Sequence, residues 1–479
     1  MSEPVLRFAP SPTGGFHVGN ARTALFNYLY TRHYGGRLHL RIEDTDRDRT
    51  TDAALKTILE GLDWLGVEFH GQPIFQSRNA AAHRKAVDRL LETGHAYYAY
   101  ETPEEVRALQ QQAQREGRRV RYNRDLTSEQ REAFEAEGRP KTVRFRVPEG
   151  ETVWQDPIRG TQRWDNVEVE DFIILRADGS PIYHLAVVVD DHDLGVTLAI
   201  RGAEHLSNTP KQVMLFQALG WAAPAYAHTT LLMGPDGRKL SKRLGATTVT
   251  EYRQQGILPE ALFNFLALQG WSPGNDREVF TREELIEAFS VEGMLRKNAV
   301  FDERKLAWLN GEHLRLKPVS ELSRAALDLW IDVGWITAED AETRRGSLLR
   351  GVKLMQPRIQ TVRDFLNFEY FFNDPRSYEE KARKKHWKVD SPSRLELLIA
   401  RLEALSDFSE REIEGAMRTL SGQLGISTGK LIHPTRLVLS GTNVGPGLFE
   451  MMDVLGQETC IRRMKAGLER LGRKETVTR

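Results

Sequence analysis

A chain of 479 residues is long enough for three or more domains, each able to bury its own core. Hydrophobic and charged shares of 40% and 28% are ordinary for a globular protein, and 67 basic residues against 67 acidic give zero formal charge, so any surface for nucleic acid must be a local patch. The single cysteine, Cys460, excludes an internal disulfide and a cysteine-rich zinc site; with no secretory pattern at the N-terminus and no run approaching ~20 apolar residues, a soluble, cytoplasmic protein is expected.

The apolar run Val5 to Ala9 breaks into the turn PSPTGG and then into Phe16-His17-Val18-Gly19-Asn20. Ala21, Leu25, Tyr28, Leu29 and Arg32 then recur at helical spacing up to Gly35 and Gly36, which predicts strand, glycine turn and amphipathic helix. Such a turn aims the unpaired N–H groups of the helix's first turn, and the positive end of its dipole, at an anion, phosphate above all. Neither G-x-G-x-x-G nor G-x-x-x-x-G-K-[ST] is present, so this is not a standard dinucleotide or Walker site. Two readings stand at this point: His17 and Asn20 as donors to that anion, or a capped helix with an incidental histidine.

Arg37 to Ile42 alternates as a strand and delivers Glu43, Asp44, Thr45 and Asp46 to its carboxyl end, where open parallel sheets bind ligands. Glu43 should therefore face the same crevice as His17, placed to meet a substrate ammonium. Asp46 and the arginines after it read as cap and surface charge for the helix TDAALKTILEGLDWLG. From about 80 to 185, helices such as AAHRKAVDRLLETG and TPEEVRALQQQAQREG and strands around KTVRFRVPEG, TVWQDPIRG and DFIILRADGSPIYHLAVVV interrupt the pattern as an inserted domain. The β-branched runs AVVVDD and VTLAIRG read as two further strands, with Tyr183 before the first and Arg201 and Glu204 closing the second. A cationic loop follows, Arg238-Lys239-Leu240-Ser241-Lys242-Arg243, either a solvated face or a second anion contact. Helical segments fill the remainder.

FHVGN and KLSKR closely resemble the paired HIGH and KMSKS signatures of class I aminoacyl-tRNA synthetases. RFAPSPTG, RIEDTDRDR and YHLAVVVDDHDLGVTLAIRGAEHLSNTPKQ narrow the resemblance to the bacterial glutamyl-tRNA synthetases, from Arg7 to about residue 310. The resemblance implies an α/β Rossmann-like catalytic domain (1–79 and 186–245), an inserted α/β domain binding the tRNA acceptor end (80–185), and all-α stem-contact (246–320) and anticodon-binding (321–479) regions. Asn264, Leu266, Trp271 and Phe301 lie in motifs similar to the stem-contact region. Many relatives hold zinc in the insertion through cysteines, but Tyr98 and Tyr100 stand there, so no zinc is expected.

Activating a carboxylate on ATP brings two anions together, a task for positioning and positive electrostatics. The resemblance assigns ATP to His17, Gly19, Asn20, Glu204, Leu232, Lys239 and Lys242, with His17, Asn20, Lys239 and Lys242 catalytic and Mg²⁺ carried on the phosphates. It assigns L-glutamate to Arg7, Ser11, Glu43, Tyr183 and Arg201; a guanidinium suits discrimination of a carboxylate from the amide of glutamine. Val187 stands where some relatives place an asparagine that reaches the substrate. Arg358 resembles an arginine that screens an anticodon base. The partners implied are tRNA(Glu), glutamate and ATP, with a monomer expected, and charging of tRNA(Gln) as well, or a HIGH-type nucleotidyltransferase, stands as the alternative.

Overall fold

The computed structural model describes residues 3–45, 50–117, 120, 122–240 and 248–472; the expected Asp46, Ser241 and Lys242 fall outside them. The chain forms two units, Met1–Gln254 with Pro259–Leu306, and Gln255–Leu258 with Ala307–Arg479.

In the first unit Val5–Phe8 (β1) pairs in parallel with Arg37–Ile42 (β2), Val5 opposite Arg37, and the end of β2 pairs with Ile74–Phe75 (β3). On the other side of β1 lies a second parallel pair, Leu198–Gly202 and Ala225–Thr229, approached through Thr197, whose N–H donates to the Val5 carbonyl at 2.9 Å. The helix expected after the glycine turn, α1, spans Val18–Tyr34 and packs on β1 and β2. It ends where expected: Gly35 takes the left-handed φ of 67° that a Cβ would disfavour. Its burial is not the single stripe expected, because Arg22, Asn27 and Thr31 are buried along with the apolar face. Asn27 Nδ2 donates to the Ile200 carbonyl (3.1 Å), and Arg22 bonds the carbonyls of Gln269 and Thr230. Such a helix is a core element, and its polar side chains are buried only because each has a backbone partner.

Asp52–Trp64 (α2) follows, capped by the Thr51 hydroxyl on Ala54 N, and then Ala80–Glu92 (α3). Within the interrupting segment Ala96–Ala99 (β4), Thr142–Phe145 (β5) and, beyond a hairpin, Ile173–Leu175 form an antiparallel sheet in that order. The hairpin pairs Glu151–Asp156 (β6) with Gly160–Asp165 (β7) and packs on Ala225–Thr229. Pro103–Arg115 (α4) and Ser128–Ala136 (α5) both open on capping boxes, from Thr102 and Thr127. Tyr98 lies under the Lys141 ammonium at 4.3 Å, and the Tyr100 hydroxyl donates to Glu135 (2.7 Å).

One strand expected from the sequence is a helix. AVVVDD lies inside Tyr183–Asp193 (α6), where Leu185 to Asp191 are all buried. A helix covered on every side has no amphipathic period, so its short β-branched run reads like a covered strand, and tertiary burial overrides the propensity of valine. The parallel pair itself is completed by Leu198–Gly202 (numbered β9, after Ile173–Leu175 as β8) and Ala225–Thr229 (β10), with Thr209–Ala218 (α7) between them.

Asn264, Leu266, Trp271 and Phe301 are buried; Asn264 Oδ1 accepts from Phe280 N (2.9 Å), and Phe301 packs on Phe265 and Tyr252. These four side chains therefore act in the core. The second unit is built of helices from Val319–Asp332 to Gln457–Gly472, around a core including Trp330, Phe365, Met417, Leu437 and Met464. Among the described residues no helix is long and apolar enough to cross a membrane.

Candidate active site

Two cavities, each of about 220 Å³, open at the carboxyl ends of β1, β2 and β9 and share Asn20, Thr23, Gly202 and Glu204 in their walls. Arg7, Ser11, Glu43, Tyr183 and Arg201, expected together, line the first. His17, Gly19, Asn20, Glu204, Leu232 and Lys239, also expected together, line the second. The Glu204 carboxylate folds over Gly202 at the shared wall, where a Cβ would stand 2.2 Å from one of its oxygens and would displace that side chain. Lys239 lies 3.9 Å from Glu204, both exposed.

His17 caps α1, its Nδ1 accepting from Gly19 N at 3.1 Å. The two readings of this residue thus combine: the ring is a cap, and it also lines a cavity. The cap occupies one N–H of the helix's first turn, and in the neutral ring it leaves the proton on Nε2.

The first cavity is organised by a residue the sequence reading missed. Asp191 is buried at the end of α6; it accepts from Arg7 Nε at 3.0 Å and pairs with Arg41, which is itself fully buried. Burial alone would raise its carboxyl, but the two guanidinia outweigh burial and hold it below the usual range. A signal existed for both residues: Tyr183, Val187 and Asp191 share one helical face at spacing four, and Arg41 shares a strand face with Glu43 at spacing two. Val187 is buried on that face and is not among the residues lining the cavity.

Glu43 accepts from the Ser11 hydroxyl at 3.3 Å and lies 3.5 Å from Arg41. Burial pushes its carboxyl up despite Arg41 and Arg7, so the ionised form is held less comfortably here than in the unfolded chain. Above the unfolded value that difference costs stability. Glu43→Gln is accordingly expected to leave the thermal midpoint unchanged or higher while raising the KM for an ammonium-bearing substrate roughly 10- to 150-fold, the loss of a hydrogen bond to a charged group. A lowered midpoint with an intact KM would make Glu43 structural.

Arg201 is buried, yet all three of its bonded donors meet neutral acceptors: Nε meets His228 Nε2 (3.2 Å), one terminal nitrogen meets Gln212 Oε1 (2.6 Å) and the other Thr209 Oγ1 (2.7 Å). Its face lies 4.8 Å from the Tyr226 ring. Burial lowers its pKa, as expected for a guanidinium without a carboxylate beside it. Tyr183, pushed up to about 12 by burial and then by Glu43, stays protonated and lies 3.3 Å from His205 Nδ1. Leaving aside the exposed Glu204 and Lys239, three guanidinia (Arg7, Arg41, Arg201) stand against two carboxylates (Glu43, Asp191), a net single positive charge around the first cavity.

His205 is lowered to about 4, by burial first and then by Arg201; His184, nearby, is lowered to about 3 by burial, Lys211 and Arg201. Both are neutral in the fold but take up protons near 6.5 when unfolded, so stability should fall as pH drops from about 6.5 through 4. Thermal midpoints over that window should flatten in a His184→Gln, His205→Gln double variant. An unchanged slope would assign the acid loss to carboxylates.

Arg358, on the second unit, is exposed; it donates to the Leu354 carbonyl (2.9 Å) and lies within electrostatic reach of Tyr370 and Arg436. Lys242 cannot be placed, lying outside the described residues.

A helix terminus open to anions, at the carboxyl ends of parallel strands and beside a buried cationic pocket, is an α/β architecture suited to holding a nucleotide phosphate next to an anionic substrate. A family model described as tRNA synthetases class I (E and Q), catalytic domain, matches residues 4–308, and one for an anticodon binding domain matches 319–468. Glutamate-tRNA ligase 1 of Caldanaerobacter subterraneus subsp. tengcongensis is 42% identical over 98% of both chains, and that of Moorella thermoacetica 43% identical over 97% of this chain and 98% of its own. The crystal structure of a glutamate tRNA ligase from Elizabethkingia meningosepticum, in complex with its amino acid, superposes with a TM-score of 0.89 at 31% identity, covering 98% of this chain and all 100% of that one. The chain belongs to the bacterial glutamate-tRNA ligases, class I synthetases of the glutamate and glutamine group.

Proposed function

We propose that the first cavity binds L-glutamate and the second ATP, and that the chain attaches glutamate to tRNA(Glu) in two steps. The observation that carries this reading is Arg201, a buried guanidinium held by three neutral acceptors and so left with its charge for a substrate carboxylate. Opposite it, Glu43 takes the ammonium, and Tyr183 and Arg7 complete the enclosure. Glutamate carries two carboxylates and one ammonium, a net charge of minus one that complements the cavity; glutamine, net neutral, does not.

ATP is taken as its Mg²⁺ complex, the metal riding on phosphate oxygens. Its α-phosphate lies over the N-terminus of α1 beside His17 and Asn20, and Leu232 and Glu204 border the nucleoside. In the first step an α-carboxylate oxygen of glutamate bonds to the α-phosphorus, the bond from that phosphorus to the bridging oxygen breaks, and pyrophosphate leaves toward Lys239 and Lys242. In the second, a hydroxyl of the terminal adenosine of tRNA attacks the anhydride carbonyl, the ester forms, AMP departs with the displaced electron pair, and the hydroxyl proton passes to the departing phosphate or to solvent. The helical second unit, with Arg358, fits anticodon contact.

ATP-pyrophosphate exchange tests the assignment. With tRNA present, glutamate should support exchange, while nicotinate mononucleotide and pantetheine phosphate should not; exchange with either of those in place of glutamate would overturn it. Charging assays on purified tRNA(Glu) and tRNA(Gln) separate a strict enzyme from one that accepts both.

A further inference from the structure

Arg201 is aimed by a buried chain that starts in the β6–β7 hairpin. His228, on β10, is fully buried, and Asp156, at the end of β6, nearly so. Asp156 Oδ2 lies 2.8 Å from His228 Nδ1 and also accepts from His228 N (3.1 Å), while Oδ1 accepts from the backbone N–H groups of Ile158 (2.9 Å) and Arg159 (3.0 Å). The other ring nitrogen, Nε2, accepts from Arg201 Nε. A guanidinium has no lone pair to offer, so Nε2 must be bare and the ring proton must sit on Nδ1, facing the carboxylate. The Thr209 hydroxyl accepts from Arg201 (2.7 Å), and its one proton has two acceptors in reach, the His205 carbonyl (3.4 Å) and, shared with Arg201, His228 Nε2 (2.9 Å).

We propose that His228 is a positioning residue for glutamate selection: Asp156 fixes its tautomer, and the bare Nε2 orients Arg201 without neutralising it. A carboxylate in that place would hold Arg201 equally well but would quench the charge the substrate needs. A neutral acceptor that cannot switch tautomer orients the guanidinium and leaves its charge available. The inference rests on the assignment of Arg201 to the glutamate side-chain carboxylate.

The chain has a pH consequence. A second ring proton, on Nε2, would point at Arg201 Nε–H and push the guanidinium from its place. The groups facing His228 are Asp156 on β6, Arg159 in the hairpin turn, whose Nε bonds the His228 carbonyl (3.1 Å), Arg201 on β9, Tyr226 on its own strand with ring centroids 6.4 Å away, and His205. Burial and the two arginines resist the second proton; Asp156 favours it.

Four variants test this through the KM values for glutamate and for ATP, measured from pH 5.5 to 8, with thermal midpoints recorded for each. His228→Leu and Asp156→Asn should each raise the glutamate KM about tenfold or more with the ATP KM nearly unchanged, the first by removing the acceptor, the second by releasing the tautomer. His228→Gln, whose side-chain carbonyl can accept from Arg201 and does not titrate, should recover most of the glutamate affinity and abolish the acid rise in KM. Arg201→Ala is the control. If Arg201→Ala leaves the glutamate KM intact, both the pocket assignment and the relay fall. If Arg201→Ala raises it but His228→Leu and Asp156→Asn only lower the thermal midpoint, or if the glutamine variant behaves like leucine, the relay alone is wrong.

Discussion

Arg201→Ala is expected to reduce kcat/KM for glutamate by roughly a hundred- to several-thousand-fold. The substrate carboxylate would enter a buried site without its partner, a loss of about 3 to 5 kcal/mol by analogy with broken buried ion pairs, at 1.36 kcal/mol per decade. Glutamine draws less on that charge and should lose less, so the preference between the two amino acids should narrow. An arginine at the end of a strand often serves instead as one half of a structural ion pair, and removing it would then harm stability and both amino acids equally. The neutral partners of Arg201 argue against that role, since its removal strands no carboxylate. Burial makes the charge itself unfavourable in the free enzyme, which offsets part of the cost of leaving the buried Gln212, Thr209 and His228 acceptors without their donor, so the thermal midpoint should fall moderately. Equal losses for glutamate and glutamine with a clearly lowered midpoint would take Arg201 out of the pocket.

Much of this site was legible because the chain writes it in contiguous words. The strand, glycine turn and helix around His17 are local, each step set by φ freedom, capping and apolar spacing, and the end of β2 brings Glu43 beside them by parallel pairing alone. What was not legible depends on long-range packing. Asp191 was hidden because a helix buried on all sides reads as a strand, so its register with Tyr183 was lost. The acceptors around Arg201 come from α7 and β10, and the carboxylate behind His228 from β6, 72 residues away in sequence. No spacing rule foretells such a meeting. Likewise Trp271 and Phe301 sit in motifs similar to an RNA-contact region, yet they serve the core, since a motif marks a place in a family and not the direction of a side chain.

Asp191→Asn should strongly destabilise the first unit. It leaves Arg7 and Arg41 buried, facing an amide in place of a carboxylate, and breaking a buried pair in this way costs about 3 to 5 kcal/mol. For a unit of this size that is a fall in thermal midpoint of roughly 5 to 8 °C. Glutamate turnover should fall as well, because Arg7 loses the partner that fixes its Nε, while the helical second unit should melt as before. A second substitution sharpens the argument. In the Asp191→Asn background, Arg41→Met removes one of the two guanidinia that lost their close carboxylate, Arg41 keeping only Glu43 at 3.5 Å, so it should restore part of the lost midpoint, whereas in the wild-type background the same change should destabilise by leaving Asp191 with a single arginine. The sign reversal is the signature of electrostatic coupling. Activity should not return with stability, since Arg7 still lacks its partner and Glu43 has lost its neighbouring guanidinium. Additive effects of the two substitutions on the midpoint would mean that Asp191 acts by packing alone, and that the orientation of Arg7 is set elsewhere.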